Sequence, residues 1–243
     1  MIHREEFIVR AYELDAQGRA SVPTICNYLQ EAAGRHATIL GVAVDHLFKK
    51  NLTWILSRLH VHFTAFPQWR EKVIVETWPS GREGKYGTRD FLILNKNGEI
   101  LVRATSSWMM LDLKSLRPIV MPDFMHDIPI PDRDRAINDS FAKLTQPGKS
   151  DSEKQFDVRL HDLDINRHVN NVKYIEWTLE SIPIDVWNLK IIKGLEISFR
   201  SETKYGERIR VQTENNANIF LHRIVSEQDR RILALVKTHW REK

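Results

Sequence analysis

The sequence predicts an α+β protein that contains two copies of one structural unit. Three observations support this fold class: the chain aligns with itself in two ungapped blocks, several segments alternate apolar and polar residues, and a helical pattern occurs in each half. Alternation with a period of two is typical of β-strands, whereas apolar residues three and four apart are typical of a helix. One helix packed on one antiparallel sheet is an α+β arrangement.

The repeated unit begins with a strand and a polar turn. The segment FIVRAYELDAQGRASVPTICNYLQEA, from Phe7, aligns with FDVRLHDLDINRHVNNVKYIEWTLE, from Phe156, at an offset of 149 residues. Similarity at a fixed offset indicates a duplicated unit. The identical residues pair Phe7 with Phe156, Val9 with Val158, Arg10 with Arg159, Leu14 with Leu163, Asp15 with Asp164, and Glu31 with Glu180.

A second block covers the later strands. LHVHFTAFPQWREKVIVET, from Leu59, aligns with LEISFRSETKYGERIRVQT, from Leu195, at an offset of 136 residues. Trp108 and Trp240 then align at an offset of 132. The first decrease in offset predicts a deletion between Glu180 and Leu195, and therefore a longer helical region in the first half.

The elements follow the order strand, turn, helix and further strands. The segments VIVETW and IRVQTE alternate as strands do, and Asn97-Gly98 is a typical hairpin turn. Pro23 is acceptable in the first turn of a helix. After it, apolar residues recur at helical spacing, at Ile25, Leu29, Ala32 and Ala33.

Proline density marks the boundary between the halves. Five prolines between Arg117 and Ser150 indicate an extended linker that lies over the surface. We therefore expect an N-terminal domain at 1–116, a linker at 117–150 and a C-terminal domain at 151–243. Two equal units in one chain can pair as the subunits of a symmetric dimer do, with a site built where they meet. Such a pair would contain two equivalent sites, and only one of them has to keep its functional residues.

Composition and charge limit the function classes. The 36 Lys and Arg residues against 32 Asp and Glu give a net charge of +4. The sequence lacks the long cationic block that would predict nucleic-acid binding. No stretch approaches the roughly 18–20 apolar residues that span a bilayer, and the first residues lack the apolar run of a signal peptide. The single cysteine, Cys26, excludes an internal disulfide, so we expect a cytoplasmic protein.

The turn before the second helix distinguishes the two halves chemically. The first half keeps only an aspartate, Asp15, whereas the second contains Asp164, Asn166, His168, Asn170 and Asn171. One interpretation is structural, with Asp164 and Asn166 forming the turn and Asn170 or Asn171 capping the helix. The other is hydrolytic: a carboxylate or imidazole deprotonates water, an amide orients it, and helix N–H groups stabilise an oxyanion.

Other kinds of site are less favoured by the sequence. The sequence contains no Gly-x-Ser-x-Gly segment, which makes a serine hydrolase less favoured. We expect Cys26 to lie in the first helix as a small packed side chain. His60 and His62 alternate along a strand without a cluster of carboxylates or thiols, so we expect them on a solvent face. Neither a metal nor an organic cofactor is expected.

The segment DLDINRHVNNVKYIEW resembles the Asp-x-Asn-x-His-Val-Asn-Asn segment of the plant and bacterial acyl-acyl-carrier-protein thioesterases. The resemblance extends to TWILSR from Thr53, to ATSSWMMLD, and to the order of two repeats, so it covers nearly the whole chain. It implies two tandem hot-dog domains, each an antiparallel sheet wrapped around a helix, with the acyl pocket largely in the first. It also implies catalytic roles for Asp164, Asn166 and His168.

By the same resemblance, Phe199-Arg-Ser-Glu202-Thr203 matches the family's aromatic-Arg-x-Glu-Cys pattern. Glu202 is then the fourth catalytic residue, although an exposed charge at the end of a strand is the alternative. Thr203 stands where plant members have cysteine, which argues against a thiol nucleophile and favours activated water. Thr203, Asn170 and Asn171 are accessory candidates.

The implied activity is hydrolysis of fatty acyl-acyl-carrier-protein to a free fatty acid, with an acidic carrier protein as partner. Basic residues at the mouth of the pocket would then steer the carrier. An acyl-CoA thioesterase, a non-catalytic acyl-binding protein and a 3-hydroxyacyl dehydratase are the alternatives. Acyl-chain length and saturation, the general base and the oligomeric state, homo-oligomers included, stay open.

Overall fold

The computed structural model describes residues 1–164 and 166–243. The chain divides into two compact units, which we call unit 1, Met1–Phe141, and unit 2, Ala142–Lys243. The boundary falls inside the proline-rich segment 117–150. Among the described residues, no helix is long and apolar enough to cross a membrane.

Unit 1 is an antiparallel sheet with one long helix. Its strands run in the order β1-β3-β4-β5-β2, all neighbours are antiparallel, and a short strand β6 pairs with β5. The bounds are β1 His3–Ile8, α1 Val22–Ile39, α2 Val44–Phe48, β2 Leu52–Phe63, β3 Lys72–Glu83, β4 Tyr86–Asn95, β5 Ile100–Asp112 and β6 Arg117–Ile119.

Unit 2 repeats this plan. Its five strands run in the order β8-β11-β10-β9-β7, again all antiparallel, which matches β2-β5-β4-β3-β1 of unit 1 strand for strand. The helix α3 has 10 residues against 18 in α1, as the shrinking offset predicts. The bounds are β7 Ser152–Asp157, α3 Asn171–Glu180, α4 Ile184–Leu189, β8 Lys190–Phe199, β9 Arg208–Asn216, β10 Ile219–Ser226 and β11 Ile232–Glu242.

The two periodicities of the sequence place the core. Along β9, Ile209, Val211 and Thr213 are buried and alternate with more exposed residues. In α1 the buried face includes Ile25 and Leu29. Each fully buried aliphatic side chain contributes about 1.5–3 kcal/mol, so these faces hold each helix against its own sheet.

The segment 117–150 is attached to unit 1 more firmly than an extended surface linker would be. The guanidinium of Arg135 donates from Nε to Asp90 Oδ2 at 2.9 Å, and the N–H of Ala136 donates to the same oxygen at 2.7 Å. Asp90 is fully buried. Because a buried carboxylate needs such donors, residues 135 and 136 complete the interior of unit 1.

Candidate active site

Asp164 organises the turn that precedes α3. One carboxylate oxygen, Oδ1, accepts the main-chain N–H of Asn166 at 2.8 Å and that of His168 at 3.1 Å. The N–H of Asp164 donates to the carbonyl of His168 at 2.7 Å, which closes the turn. We call residues 164 and 166–168 the Asp164 turn.

The same turn exists in unit 1 at residues 15–19, which we call the Asp15 turn. Asp15 Oδ1 accepts the N–H groups of Gln17 at 2.9 Å and Arg19 at 3.3 Å. The residue before the last one of the turn adopts a left-handed backbone conformation in both copies, with φ 76° at Gly18 and 62° at Arg167. The interpretation that Asp164 forms the turn is therefore confirmed, and the structure shows the same role for Asp15. In each copy the turn uses one carboxylate oxygen.

The second oxygen of the aspartate distinguishes the copies. In unit 1, Asp15 Oδ2 accepts Arg19 Nε at 2.8 Å, a contact that neutralises the carboxylate. In unit 2 the corresponding residue is His168, and no group among the described residues donates to Asp164 Oδ2. The Asp164 carboxylate thus keeps one oxygen for another partner.

The side chains of His168 and Glu202, which are distant in sequence, lie close together in unit 2. His168 Nδ1 lies 3.7 Å from Glu202 Oε1, and the two side chains are 59% and 62% exposed. A pair this exposed contributes little to stability. Both side chains are accessible to a ligand from solvent.

The corresponding positions of unit 1 also touch each other. The guanidinium carbon of Arg19, which aligns with His168, lies 4.4 Å from the ring centroid of Phe66, which aligns with Glu202. One backbone arrangement therefore holds a cation on an aromatic ring in unit 1 and an imidazole beside a carboxylate in unit 2. Only the second pair contains an imidazole and a carboxylate, the side chains that most often act as general acids and bases.

The chain around Glu202 is fixed from inside. Thr203 is buried, its hydroxyl donates to Glu207 Oε2 at 2.9 Å, and its N–H donates to the Tyr174 hydroxyl at 3.3 Å. Burial raises the pKa of the Tyr174 phenol, so that hydroxyl stays protonated. Arg231 Nη2 donates to the Glu202 carbonyl and to Glu207 Oε2, both at 3.0 Å.

This network shows what the sequence reasoning missed. Thr203 is buried, and three further residues hold the chain around Glu202: Tyr174, Glu207 and Arg231. Tyr174 lies within the DLDINRHVNNVKYIEW segment, but no motif marks Glu207 or Arg231. Arg231 reaches Glu202 only through the antiparallel pairing of β8 with β11.

The start of α3 supplies main-chain donors beside the Asp164 turn. Asn170 is the cap, as one interpretation predicts: its Oδ1 accepts the N–H of Val172 at 2.9 Å, and its carbonyl accepts that of Lys173 at 2.9 Å. Within the described part of the chain, the N–H of Asn171 is left without an acceptor. Asn166 is exposed on the turn.

Two other residues singled out in the sequence lie in unit 1. Burial raises the pKa of the Cys26 thiol to about 12, so it remains a protonated, packed side chain. His60 is half-buried, and its Nδ1 lies 2.8 Å from Asp139 Oδ2. The expectation of a solvent-facing His60 without a carboxylate was therefore wrong, because Asp139 is distant in sequence and reaches it from the proline-rich segment.

Comparison with known proteins identifies both halves. The family model for the acyl-ACP thioesterase N-terminal domain matches residues 1–128, and that for the C-terminal domain matches residues 145–242. The palmitoyl-acyl carrier protein thioesterase, chloroplastic, of Cuphea hookeriana is 36% identical over 220 residues, covering 83% of this chain and 52% of the relative. The dodecanoyl-[acyl-carrier-protein] hydrolase, chloroplastic, of Cinnamomum camphora is 30% identical over 269 residues, covering 100% and 68%.

The chain thus spans between half and about two thirds of the length of these relatives. Among solved structures, the 12:0-ACP thioesterase from Umbellularia californica superposes with a TM-score of 0.89 at 27% identity, covering 100% of this chain and 98% of that one. An acyl-ACP thioesterase from Bacteroides thetaiotaomicron shares the fold, with a TM-score of 0.86 at 24% identity and coverage of 99% and 98%. The predicted α+β tandem hot-dog fold is confirmed, and the protein belongs to the acyl-ACP thioesterase family.

Proposed function

We propose that this protein hydrolyses the thioester of fatty acyl-acyl-carrier-protein and releases a free fatty acid. The observation that carries the proposal is the His168–Glu202 pair, which is replaced by Arg19 and Phe66 in unit 1. His168 belongs to the Asp164 turn, in which Asp164 Oδ2 accepts no donor from the described residues. The names of the relatives, which are acyl-carrier-protein hydrolases, support the same reaction.

In the proposed reaction, water is the nucleophile. The Glu202 carboxylate, 3.7 Å from His168 Nδ1, orients the imidazole once the two side chains close to hydrogen-bond distance, so that Nε2 can accept a proton from water as its oxygen attacks the carbonyl carbon. The Asp164 carboxylate faces the imidazolium that forms, and the Asn166 amide orients the water. The N–H of Asn171, at the positive end of α3, is the donor left for the oxyanion.

Collapse of the tetrahedral intermediate then breaks the carbon–sulfur bond. The imidazolium returns its proton to the departing sulfur, whose thiol has a pKa of roughly 8.5, so a weak acid suffices. No metal or organic cofactor takes part in these steps. Thr203 has a supporting role in this scheme, because its hydroxyl donates a hydrogen bond to Glu207 and fixes the chain next to Glu202.

The two halves divide the work in this proposal. The domain at 151–243 carries the catalytic residues, the domain at 1–116 shapes the acyl pocket, and the segment 117–150 connects them. The carrier protein is the partner. We place the activity in the cytoplasm, a reducing compartment in which a single buried thiol such as Cys26 is unexceptional.

The test measures release of free fatty acid from matched acyl-carrier-protein and acyl-CoA substrates of several chain lengths. The informative variant is Asp164→Asn, because an amide oxygen can still accept the two N–H groups of the turn while the charge is lost. We expect turnover to fall by about 10²–10⁴-fold. The matched control is Asp15→Asn, which makes the same change in the Asp15 turn and should leave turnover unchanged.

Three results would decide against the proposal. A faster reaction with acyl-CoA would make the protein an acyl-CoA thioesterase, and tight binding without release would make it an acyl-binding protein. Normal turnover by a folded Asp164→Asn variant would remove the Asp164 charge from the mechanism.

A further inference from the structure

Three cations flank His168 and Glu202 in the sequence. Arg167 precedes His168 directly, and Arg200 and Lys204 stand two residues to either side of Glu202. All three are exposed, and none of their side chains has a partner among the described residues. They therefore differ from arginines of unit 2 such as Arg208 and Arg210, which are paired with carboxylates.

Unit 1 provides an internal comparison. At the same offsets of 149 and 136 residues, the positions of Arg167, Arg200 and Lys204 are occupied by the uncharged residues Gly18, Thr64 and Gln68. The backbone is alike in the two copies, because the left-handed residue of the turn recurs at Gly18 and Arg167. The shared fold does not require these cations, and they accompany the copy that carries the candidate active site.

Apolar side chains are exposed on the same surface. Tyr205 is 63% exposed and Leu160 is 66% exposed. The N–H of Gly206 donates to the carbonyl of Val158 at 3.0 Å, which brings the two segments side by side. An exposed aromatic residue and an exposed leucine, with unpaired cations beside them, are typical of a surface that binds a charged protein partner.

We propose that Arg167, Arg200 and Lys204, together with Tyr205 and Leu160, form the docking surface for the acidic carrier protein. We call these five residues the docking rim. The proposal rests on the proposed function, since it gives the partner of that reaction a place to bind. Unpaired cations of this kind mainly raise the rate of association and orient the partner, and salt weakens both effects.

The test uses a variant with three substitutions, Arg167→Gln, Arg200→Glu and Lys204→Glu. Glutamine keeps a long side chain at the left-handed position 167. The matched control reverses Lys193 and Arg241 to glutamate, two exposed cations toward the other end of the β8–β11 pair. Phe199, the last residue of β8, precedes Arg200 directly. At about 3.3 Å per residue, the two control cations lie on the order of 20 Å from Phe199 along the strands, and therefore far from the rim.

Both variants are assayed on an acyl-carrier-protein, on the corresponding acyl-CoA, and on the same acyl group carried by N-acetylcysteamine, a small thioester without a protein. We expect the rim variant to lose at least tenfold in kcat/KM on the acyl-carrier-protein, mainly through KM, with a weaker dependence on salt. Its kcat/KM on the small thioester should stay within twofold of wild type. The control variant should match wild type on both substrates.

An equal loss on both substrates would overturn the proposal, because the rim residues would then act on the chemistry or the fold. An equal loss on acyl-CoA would also overturn it, since the cations would bind the phosphates of the prosthetic arm. If the wild type hydrolyses nothing, the proposed function fails separately. Binding of holo-carrier protein, measured by calorimetry, then tests the rim alone: a tenfold weaker Kd in the variant supports it and an unchanged Kd refutes it.

Discussion

At the scale of single residues, Asp164 shows how one side chain can have both a structural and a chemical role. Its Oδ1 accepts two N–H groups, as Asp15 Oδ1 does in unit 1. The residue four positions later decides what the other oxygen does. Arg19 occupies that oxygen in unit 1, whereas His168 leaves it uncommitted.

Arg231 is a positioning residue for Glu202 in the proposed reaction, because it holds the Glu202 carbonyl and Glu207 together. The substitution Arg231→Gln should lower kcat by about tenfold and leave KM within twofold, since the carboxylate is no longer held at one distance from His168. The measurement is steady-state kinetics on acyl-carrier-protein over pH 5–9.

The control for Arg231 is Arg208→Gln, which breaks an exposed ion pair with Asp157. Such a pair contributes about 0–1 kcal/mol, so kcat and the pH profile should not change. If Arg231→Gln lowered thermal stability but kept both the wild-type kcat and the wild-type pH profile, its role would be structural only.

At the scale of elements, the sequence predicts what depends on local patterns. Alternation in IRVQTE predicts the buried face of β9, and the deletion after Glu180 predicts the shorter α3. The contact of Arg231 with Glu202 and that of His60 with Asp139 could not be predicted, because each depends on which distant segments pack together. The same holds for Arg135, which lies in a segment that composition alone describes as a linker.

The sheet of unit 2 contains a buried chain of polar side chains. His222 is fully buried, its Nδ1 lies 2.9 Å from Thr213 Oγ1, and its Nε2 lies 3.2 Å from Thr238 Oγ1. Ser181 and Trp240 extend the chain at either end. Every member of this network has a hydrogen-bond partner, as buried polar groups require. No carboxylate faces His222 in these contacts, so the network is stable in the interior only while the imidazole is neutral.

Burial lowers the pKa of His222 from 6.5 to about 3. Below pH 6.5 the unfolded chain binds a proton that the folded chain does not, so stability is lost as the pH falls. Between pH 6.5 and 5, His222 should lower the free energy of unfolding by about 1.5 kcal/mol. Urea denaturation of the wild type and of His222→Asn measures this, and the variant should lack that part of the decrease.

The comparison stops at pH 5 because carboxylates begin to titrate below it. His222→Gln is a second variant in case the asparagine leaves Thr238 without a partner. If either folded variant lost stability with pH as steeply as the wild type, His222 would not be the residue responsible.

At the scale of the whole molecule, the two units keep one strand order and one turn geometry while their exposed chemistry diverges. Unit 1 carries Arg19 over Phe66, and unit 2 carries His168 beside Glu202. The sequence shows the aspartate in both copies and the histidine in one. The family resemblance also predicts Glu202 as a catalytic residue together with His168, and the structure places the two side chains side by side. The contact of Arg19 with Phe66 becomes visible only when strands are placed beside turns.

This divergence predicts that the molecule has one active site, and that introducing a histidine at position 19 of unit 1 does not create a second. Arg19→His should leave turnover at the wild-type level. It should lower the free energy of unfolding by about 1–2 kcal/mol, because the half-buried ion pair with Asp15 and the contact with Phe66 are both lost. The double variant Arg19→His, Asp164→Asn should be as inactive as Asp164→Asn alone, since Phe66 cannot orient an imidazole as a carboxylate does. Fatty acid release and urea denaturation of the three variants test this together, and recovery of turnover in the double variant would show that unit 1 retains a latent site.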